Sequence, residues 1–391
     1  RVEDDSLQIS PTLLLTNMKD VNYLNFEMSN EIFGVGFKVK ENYFSFNVTN
    51  RFQTRFNYPK DLIELGVEGN GNNLLGERAS LDGIGLNLTS YIEYGVGFNR
   101  DINDKLTVGG RLKMLSGVAN INTVKTELGL TTDASTFDLT VDGASEINTS
   151  NISPFNDSTI EYNPFPSLFN FSNIGFGIDL GANYNYNDKL SFNASLLDLG
   201  LIKWKTNVTN YVSDNINYTF SGIDLNQALD SVNNIGSELS DTLQSVFKQE
   251  ENSNAYNTAL RTKFYLGTKY EFTEVFSTSL LLYNEIIGQK YNFGTSISGN
   301  IQLKKWLGAS INYSTYGRSF NNLGFGLNLK AGPIQFYGMT DNVVALISPT
   351  SSKHFHVSFG MSVVIGPKKD KGSDKEKKSD NPKLKKVKED S

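Results

Sequence analysis

The sequence contains no cysteine, which removes disulfide staples, thiolate metal sites and thiol nucleophiles together. It has only two histidines, His354 and His356, and no third partner that the sequence places beside them, whereas a metal site needs three or four ligands. No run of about 18 apolar residues occurs, so no segment qualifies as a transmembrane helix. The chain is mildly hydrophilic, with 38% hydrophobic residues and a mean hydropathy of −0.32. Net charge is −6, and the last 25 residues hold ten Lys and six acids, so basic residues concentrate in a mixed-charge tail. With no basic groove pattern, a nucleic-acid binder is excluded. Gly-x-Ser-x-Gly, Walker, dinucleotide and zinc motifs are all missing. His356 and Ser358 lie two apart but have no orienting third group, so no catalytic residue and no cofactor are assigned and the chain reads as a non-enzyme.

What is abundant is aromatic alternation: 26 Phe and 18 Tyr make the chain 12% aromatic with Trp. Between Ala259 and Phe272, Leu260, Phe264, Leu266, Tyr270 and Phe272 share one parity, and Arg261, Lys263, Lys269 and Glu271 take the other. That is the period of a strand with one apolar and one polar face. Tyr291 to Leu303 repeats the pattern, with Tyr291, Phe293, Ile297, Ile301 and Leu303 against Asn292, Asn300 and Gln302. A membrane barrel satisfies such a sequence without raising mean hydropathy, because only alternate residues meet lipid.

The alternation starts near residue 22, after an N-terminal segment (1–21) expected to be loop or short helix. Segments 23–29, 32–40 and 43–57 read as three strands joined by very short turns. Asn-Asp-Lys-Leu recurs at 103–106 and 187–190 as a turn, and further tight turns are expected at Thr273-Glu274, Lys304-Lys305 and Ala331-Gly332-Pro333. The other strand ends carry long polar stretches, 58–83, 117–173 and 205–256, read as loops. Tight turns at one rim and long loops at the other predict an all-β fold: a transmembrane antiparallel barrel over 22–366, with about 14 strands, long extracellular loops and short periplasmic turns. Within 205–256, residues 224–246 carry apolar residues at helical spacing, predicting a helix that covers the rim or docks an envelope partner. Residues 367–391 are expected to form a disordered charged periplasmic tail. The chain begins at Arg1 without an initiator Met or a signal-peptide pattern, as expected of a mature form or a fragment.

The polar parity nominates lumen-lining candidates: Arg261, Lys263, Lys269, Glu271, Asn292, Gln302, His354 and His356. Charges there either bias a water-filled pore or pair with acids on neighbouring strands.

The blocks 22–27 (Asn-Tyr-Leu-Asn-Phe-Glu), 42–47 (Asn-Tyr-Phe-Ser-Phe-Asn), 69–78 (Gly-Asn-Gly-Asn-Asn-Leu-Leu-Gly-Glu-Arg), 103–113 (Asn-Asp-Lys-Leu-Thr-Val-Gly-Gly-Arg-Leu-Lys) and 262–267 (Thr-Lys-Phe-Tyr-Leu-Gly) resemble a family of uncharacterised outer-membrane barrel proteins from Bacteroidota. The resemblance spans about residues 20–365. It implies a bacterial outer-membrane location in contact with lipid, and a barrel distantly similar to fatty-acid-type transporters; it carries no reaction, ligand or site residue. The expected function is a passive channel or transporter for small or hydrophobic solutes. The alternative is a non-catalytic structural subunit of an outer-membrane assembly or secretion machine.

Overall fold

The computed structural model of the chain describes residues 2–3, 6–7, 11–71, 73–152, 169–221, 250–288, 290–317, 319–347 and 352–365. These fall into two compact units: Arg1–Thr268 with Leu282–Phe293, and Lys269–Leu281 with Gly294–Ser391.

The fold is antiparallel β, as the alternation requires. In chain order the strands are β1 (Val2–Glu3), β2 (Ser6–Leu7), β3 (Val21–Val39), β4 (Asn42–Pro59), β5 (Arg78–Ser80), β6 (Gly85–Asp101), β7 (Leu106–Thr132), β8 (Leu139–Ser150), β9 (Asn173–Asn185) and β10 (Leu190–Trp204). They continue with β11 (Val208–Phe220), β12 (Glu250–Asn252), β13 (Tyr256–Ala259), β14 (Thr262–Glu271), β15 (Phe276–Ile287), β16 (Lys290–Lys304), β17 (Leu307–Tyr316), β18 (Ser319–Ala331), β19 (Ile334–Thr340) and β20 (Val357–Val363). Short helices at Pro11–Thr16, Lys60–Glu68 and Val343–Ile347 complete the elements.

In the first unit, β3, β4, β6, β7, β9 and β10 pair in sequence as one antiparallel ladder. The 27 residues of β7 extend about 90 Å at ~3.3 Å each. Its first half, Leu106 to Gly117, pairs β9, and its second half, Asn120 to Thr132, pairs β8, which in turn pairs β11. In the second unit β16, β17, β18, β19 and β20 form an unbroken meander.

The turns show why Asn-Asp-Lys-Leu occurs twice. Asn103 Oδ1 accepts the backbone N–H groups of Lys105 and Leu106, both at 2.9 Å, and Asn187 Oδ1 does the same for Lys189 and Leu190. Thr273 Oγ1 plays the same part for Val275 and Phe276. A short polar side chain that satisfies two amides of its own turn closes a hairpin in few residues.

Several expectations are corrected. The strand count is 20 among the described residues rather than about 14. Segments 23–29 and 32–40 belong to one strand, β3, with a bulge between Glu31 and Phe33. The outward apolar residues are Leu24, Phe26 and Met28 before it and Phe33, Val35, Phe37 and Val39 after it. A bulge inserts one residue and so exchanges the parity that faces outward; in the bare sequence that exchange imitates a turn. The stretches 117–173 and 205–256 hold β8, β11, β12, the first residue of β13 and the C-terminal half of β7, because Thr- and Asn-rich strands without an apolar face show no hydrophobic period. The stretch 58–83 contains the nine-residue helix Lys60–Glu68 and β5. Within segment 1–21 a short helix, Pro11–Thr16, is present. The helix expected at 224–246 and the tail 367–391 lie outside the described residues.

Candidate functional site

The ladders of the first unit carry side chains in rows across the sheet. One row, set by direct register, is Ser45, Gly97, Arg111 and Asp179; the next is Asn47, Gly95, Lys113 and Gly177; the row below is Tyr43, Asn99, Gly109, Gly181 and Ser195. These residues share the parity opposite to Phe44, Val96, Phe98, Leu112 and Leu180, which are exposed on the outer face. Alternation along each strand therefore sorts the sheet into a polar inner face and an apolar outer one.

The inner face is organised by Lys113, whose side chain is almost fully buried. Its Nζ lies 2.5 Å from Asp198 Oδ1, 2.7 Å from Asp179 Oδ1 and 3.7 Å from Glu93 Oε2. Glu93 is itself fully buried, and Arg51 Nη2 reaches it at 3.3 Å. Asp198 gets there through a second bulge, between Leu196 and Leu199, where its backbone adopts φ 59. Its N–H donates to Asp179 Oδ1 at 2.8 Å, locking the two acids together. Bulges re-aim side chains in this way, and here the outcome is one ammonium held by three carboxylates.

A second cluster contains two of the residues nominated by sequence. Arg261 pairs with Glu27 and donates to Asn25 Oδ1 at 2.8 Å. Lys263 Nζ stands 3.6 Å from Glu27 and 3.7 Å from the buried Glu285. Four cations and five carboxylates thus form an ionic layer in the first unit. Buried charges at these distances persist only when mutually paired, since removing one partner strands the other in a poorly solvated site. Further along β6 and β7, at the parity of Glu93 and Lys113, Tyr91 and Leu115 join Ile202, Trp204, Val208 and Leu260 in an apolar cluster, with Trp204 Nε1 donating to Thr258 Oγ1 at 2.8 Å.

Beside the ionic layer lies a cleft of about 640 Å³, lined by Tyr43, Ser45, Asn99, Arg111, Asn183, Asn193 and Tyr265 together with Arg51, Lys113, Asp179, Asp198 and Lys263. The inner-face glycines Gly97, Gly109 and Gly181 contribute backbone alone to its wall. The second unit has its own cleft of about 600 Å³, whose lining includes Lys269, Glu271, Ser277, Asn300, Gln302, Tyr337 and Met339.

The remaining nominated residues separate by role. Lys269 and Glu271 pair with each other at 2.7 Å and stay half exposed at the second cleft. Gln302 lines that cleft and braces a turn, with Nε2 donating to the carbonyls of Lys304 at 2.6 Å and Leu307 at 3.2 Å. Asn292 Nδ2 is buried without a hydrogen-bond partner among the described residues. His354 and His356 precede the last strand instead of lying on it, because β20 begins at Val357. Both turn toward Asp341, which His356 Nδ1 approaches at 3.3 Å and His354 Nε2 at 3.9 Å. These imidazoles hold the Asp341 carboxyl well below its usual range. Among the described residues no group of three or more His, Asp or Glu side chains is placed to hold a metal.

Sequence reasoning missed Glu27, Arg51, Glu93, Lys113, Asp179, Asp198, Glu285 and Arg111. Five of them share a signal: Glu27, Glu93, Lys113, Asp179 and Asp198 are each flanked on both sides by large apolar residues within a strand. A charge at the inward parity between two outward hydrophobes is a residue that must find a partner inside.

The chain belongs to the family of unknown function DUF5723, which it matches over residues 2–341. The match takes in the first unit and extends into the second as far as Asp341. Among solved structures, the chain is similar to the Pseudomonas putida toluene transporter TodX, at 9% identity and a TM-score of 0.40, covering 84% of this chain and 85% of that one. It is similar to a Pseudomonas aeruginosa FadL homologue at 10% identity and a TM-score of 0.32, covering 76% and 68%. It is also similar to a mutant of the Rh. blastica porin at 11% identity and a TM-score of 0.20, covering 66% and 87%. No curated protein matches the chain.

Proposed function

We propose that this DUF5723 chain is an outer-membrane β-barrel that conducts small solutes across the bacterial outer membrane, with polar solutes favoured by the lining of both clefts. The observation that carries the reading is an inversion of polarity between neighbouring residues: Leu112 is 68% exposed while Lys113 beside it is 3% exposed. In water such a surface is self-defeating, because contiguous apolar area beyond a few hundred Å² drives association. In a bilayer it is required, since lipid takes the apolar face and the interior must supply every polar partner. Phe293 at 69% and Phe359 at 82% exposed extend the same inversion to other strands.

The ionic layer favours the second reading, a structural subunit of an envelope assembly, because it fills part of the inner face with paired charges. Reconstitution separates the two. Full-length protein in liposomes is expected to admit glucose above the level of empty vesicles and to raise ionic conductance. Absence of both, together with stable co-purifying envelope partners, would sink the conduit reading in favour of the structural one. Solubility without detergent would sink both.

A further inference from the structure

We propose that Arg111 is the anion-binding residue of the first unit's cleft, holding the carboxylate of a small hydroxylated monocarboxylate, a solute of the sugar-acid type. The proposal rests on the conduit reading for its physiological setting, but the binding event is independent of it.

Arg111 and Asp179 are direct partners in the β7–β9 register, and opposite charges so placed ordinarily pair. Here they do not. Asp179 Oδ1 is already taken by Lys113 Nζ at 2.7 Å and by the N–H of Asp198 at 2.8 Å. Among the described residues Arg111 is left with no hydrogen bond or ion pair, while the other cations of the cleft, Arg51, Lys113 and Lys263, each have a carboxylate within 3.7 Å. Its side chain instead runs across β6. A Cβ added at Gly95 would stand 3.0 Å from Arg111 Cδ, and one added at Gly97 3.7 Å from its Nε. The guanidinium is therefore laid along a strip of bare backbone at the cleft wall.

The glycines are the independent observation. A glycine inside a strand weakens it and marks a place where something approaches the backbone closely. At Gly181 an added Cβ meets only Ala194 O at 3.7 Å and Ser195 Cβ at 3.8 Å, so the protein's own packing does not demand glycine there. What it preserves is volume in the cleft, next to a planar cation suited to two-pronged contact with an oxyanion. Asp179 and Asp198 line the same cleft, where they repel a dianion and accept hydroxyl donors. One negative charge and several hydroxyls match that pattern; a phosphate dianion does not.

The experiment uses full-length protein in detergent and isothermal titration with sodium gluconate at fixed ionic strength. Glucose and inorganic phosphate serve as comparison probes. Saturable binding of gluconate is expected, stronger than that of phosphate, with none detected for glucose. Arg111→Gln should weaken it about 10- to 100-fold, the range for a lost hydrogen bond to a charged group, and Arg111→Lys should weaken it less. Gly181→Val fills the cleft from the paired strand β9, one row from Arg111, and should also abolish binding. Absence of saturable gluconate binding, equal binding in Arg111→Gln, or preference for phosphate overturns the assignment. Glucose uptake in liposomes distinguishes the two proposals: uptake without gluconate binding removes only the anion site, whereas binding without uptake removes only the conduit.

Discussion

Replacing Lys113 with Met tests whether the ionic layer is an interdependent unit. In the native protein one buried ammonium faces Asp198 at 2.5 Å, Asp179 at 2.7 Å and Glu93 at 3.7 Å. At an effective dielectric near 20, a contact of ~2.7 Å carries about 6 kcal/mol of attraction. Desolvating the ammonium and the carboxylates takes back several kcal/mol for each ion, so the pairs add little net stability. Their removal is asymmetric. Methionine preserves most of the stem volume but leaves three acids facing one another, with Glu93 fully buried, and stranding buried charge of this kind costs about 3–5 kcal/mol.

The compensating variant is Asp198→Asn. Asparagine keeps the shape and accepts the φ of 59 found at this bulge, since Asn and Asp are the non-glycine residues most tolerant of the left-handed region. Alone it should cost about 1–3 kcal/mol, because Lys113 retains Asp179 and Glu93. Combined with Lys113→Met it should recover stability relative to Lys113→Met, giving an interaction energy of opposite sign to the single losses. Urea unfolding in detergent micelles, followed by tryptophan fluorescence, reads the effect in the first unit, where Trp204 is fully buried. The sequence has only one other tryptophan, Trp306, and Trp306→Phe isolates the signal. If Lys113→Met unfolds within 1 kcal/mol of the native chain, or if the two substitutions simply add, the charges are independently solvated and the reasoning fails.

Two further outcomes follow from local geometry. Gly143 holds φ 134, and an added Cβ would lie 1.8 Å from the carbonyl oxygen of Glu127, so Gly143→Ala should cost at least about 1–3 kcal/mol of backbone strain. The loss should be confined to the β7–β8 pairing: hydrogen exchange should accelerate at 125–145 and stay slow at 106–117, and uniform acceleration would contradict a local clash. At Asp341, the nearby imidazoles of His354 and His356 lower the carboxyl from its ordinary value of 3.8. A depressed acid contributes stability that is present above that value and lost as pH falls through its folded pKa. Protection of residues 341–347 and 352–356 should therefore hold at pH 5 and fall progressively below pH 4, and Asp341→Asn should remove that dependence; an unchanged acid limb in the variant would refute the assignment.

The general pattern was legible because alternation is a direct projection of a two-faced sheet, and Asn103 and Asn187 could be read as turns because their side chains do the closing. What escaped was each place where the period slips. Parity reverses at Glu31 and again at Asp198; a period-two reading turns the first into a chain break and gives the second no reason to face inward. The site followed the same limit. Arg261 and Lys263 were visible because they stand in an unbroken alternating run. Lys113 and Asp179 stand in equally regular runs, but their meaning depends on Asp198, which reaches them only through the bulge. Arg111 is harder still: its register partner is Asp179, and a reader of the sequence who knew the register would have paired them. The pairing fails because Lys113, two residues along the same strand, claims that carboxylate first. The candidate site therefore arises from competition for partners on one face, and competition is settled by distances that periodicity does not contain.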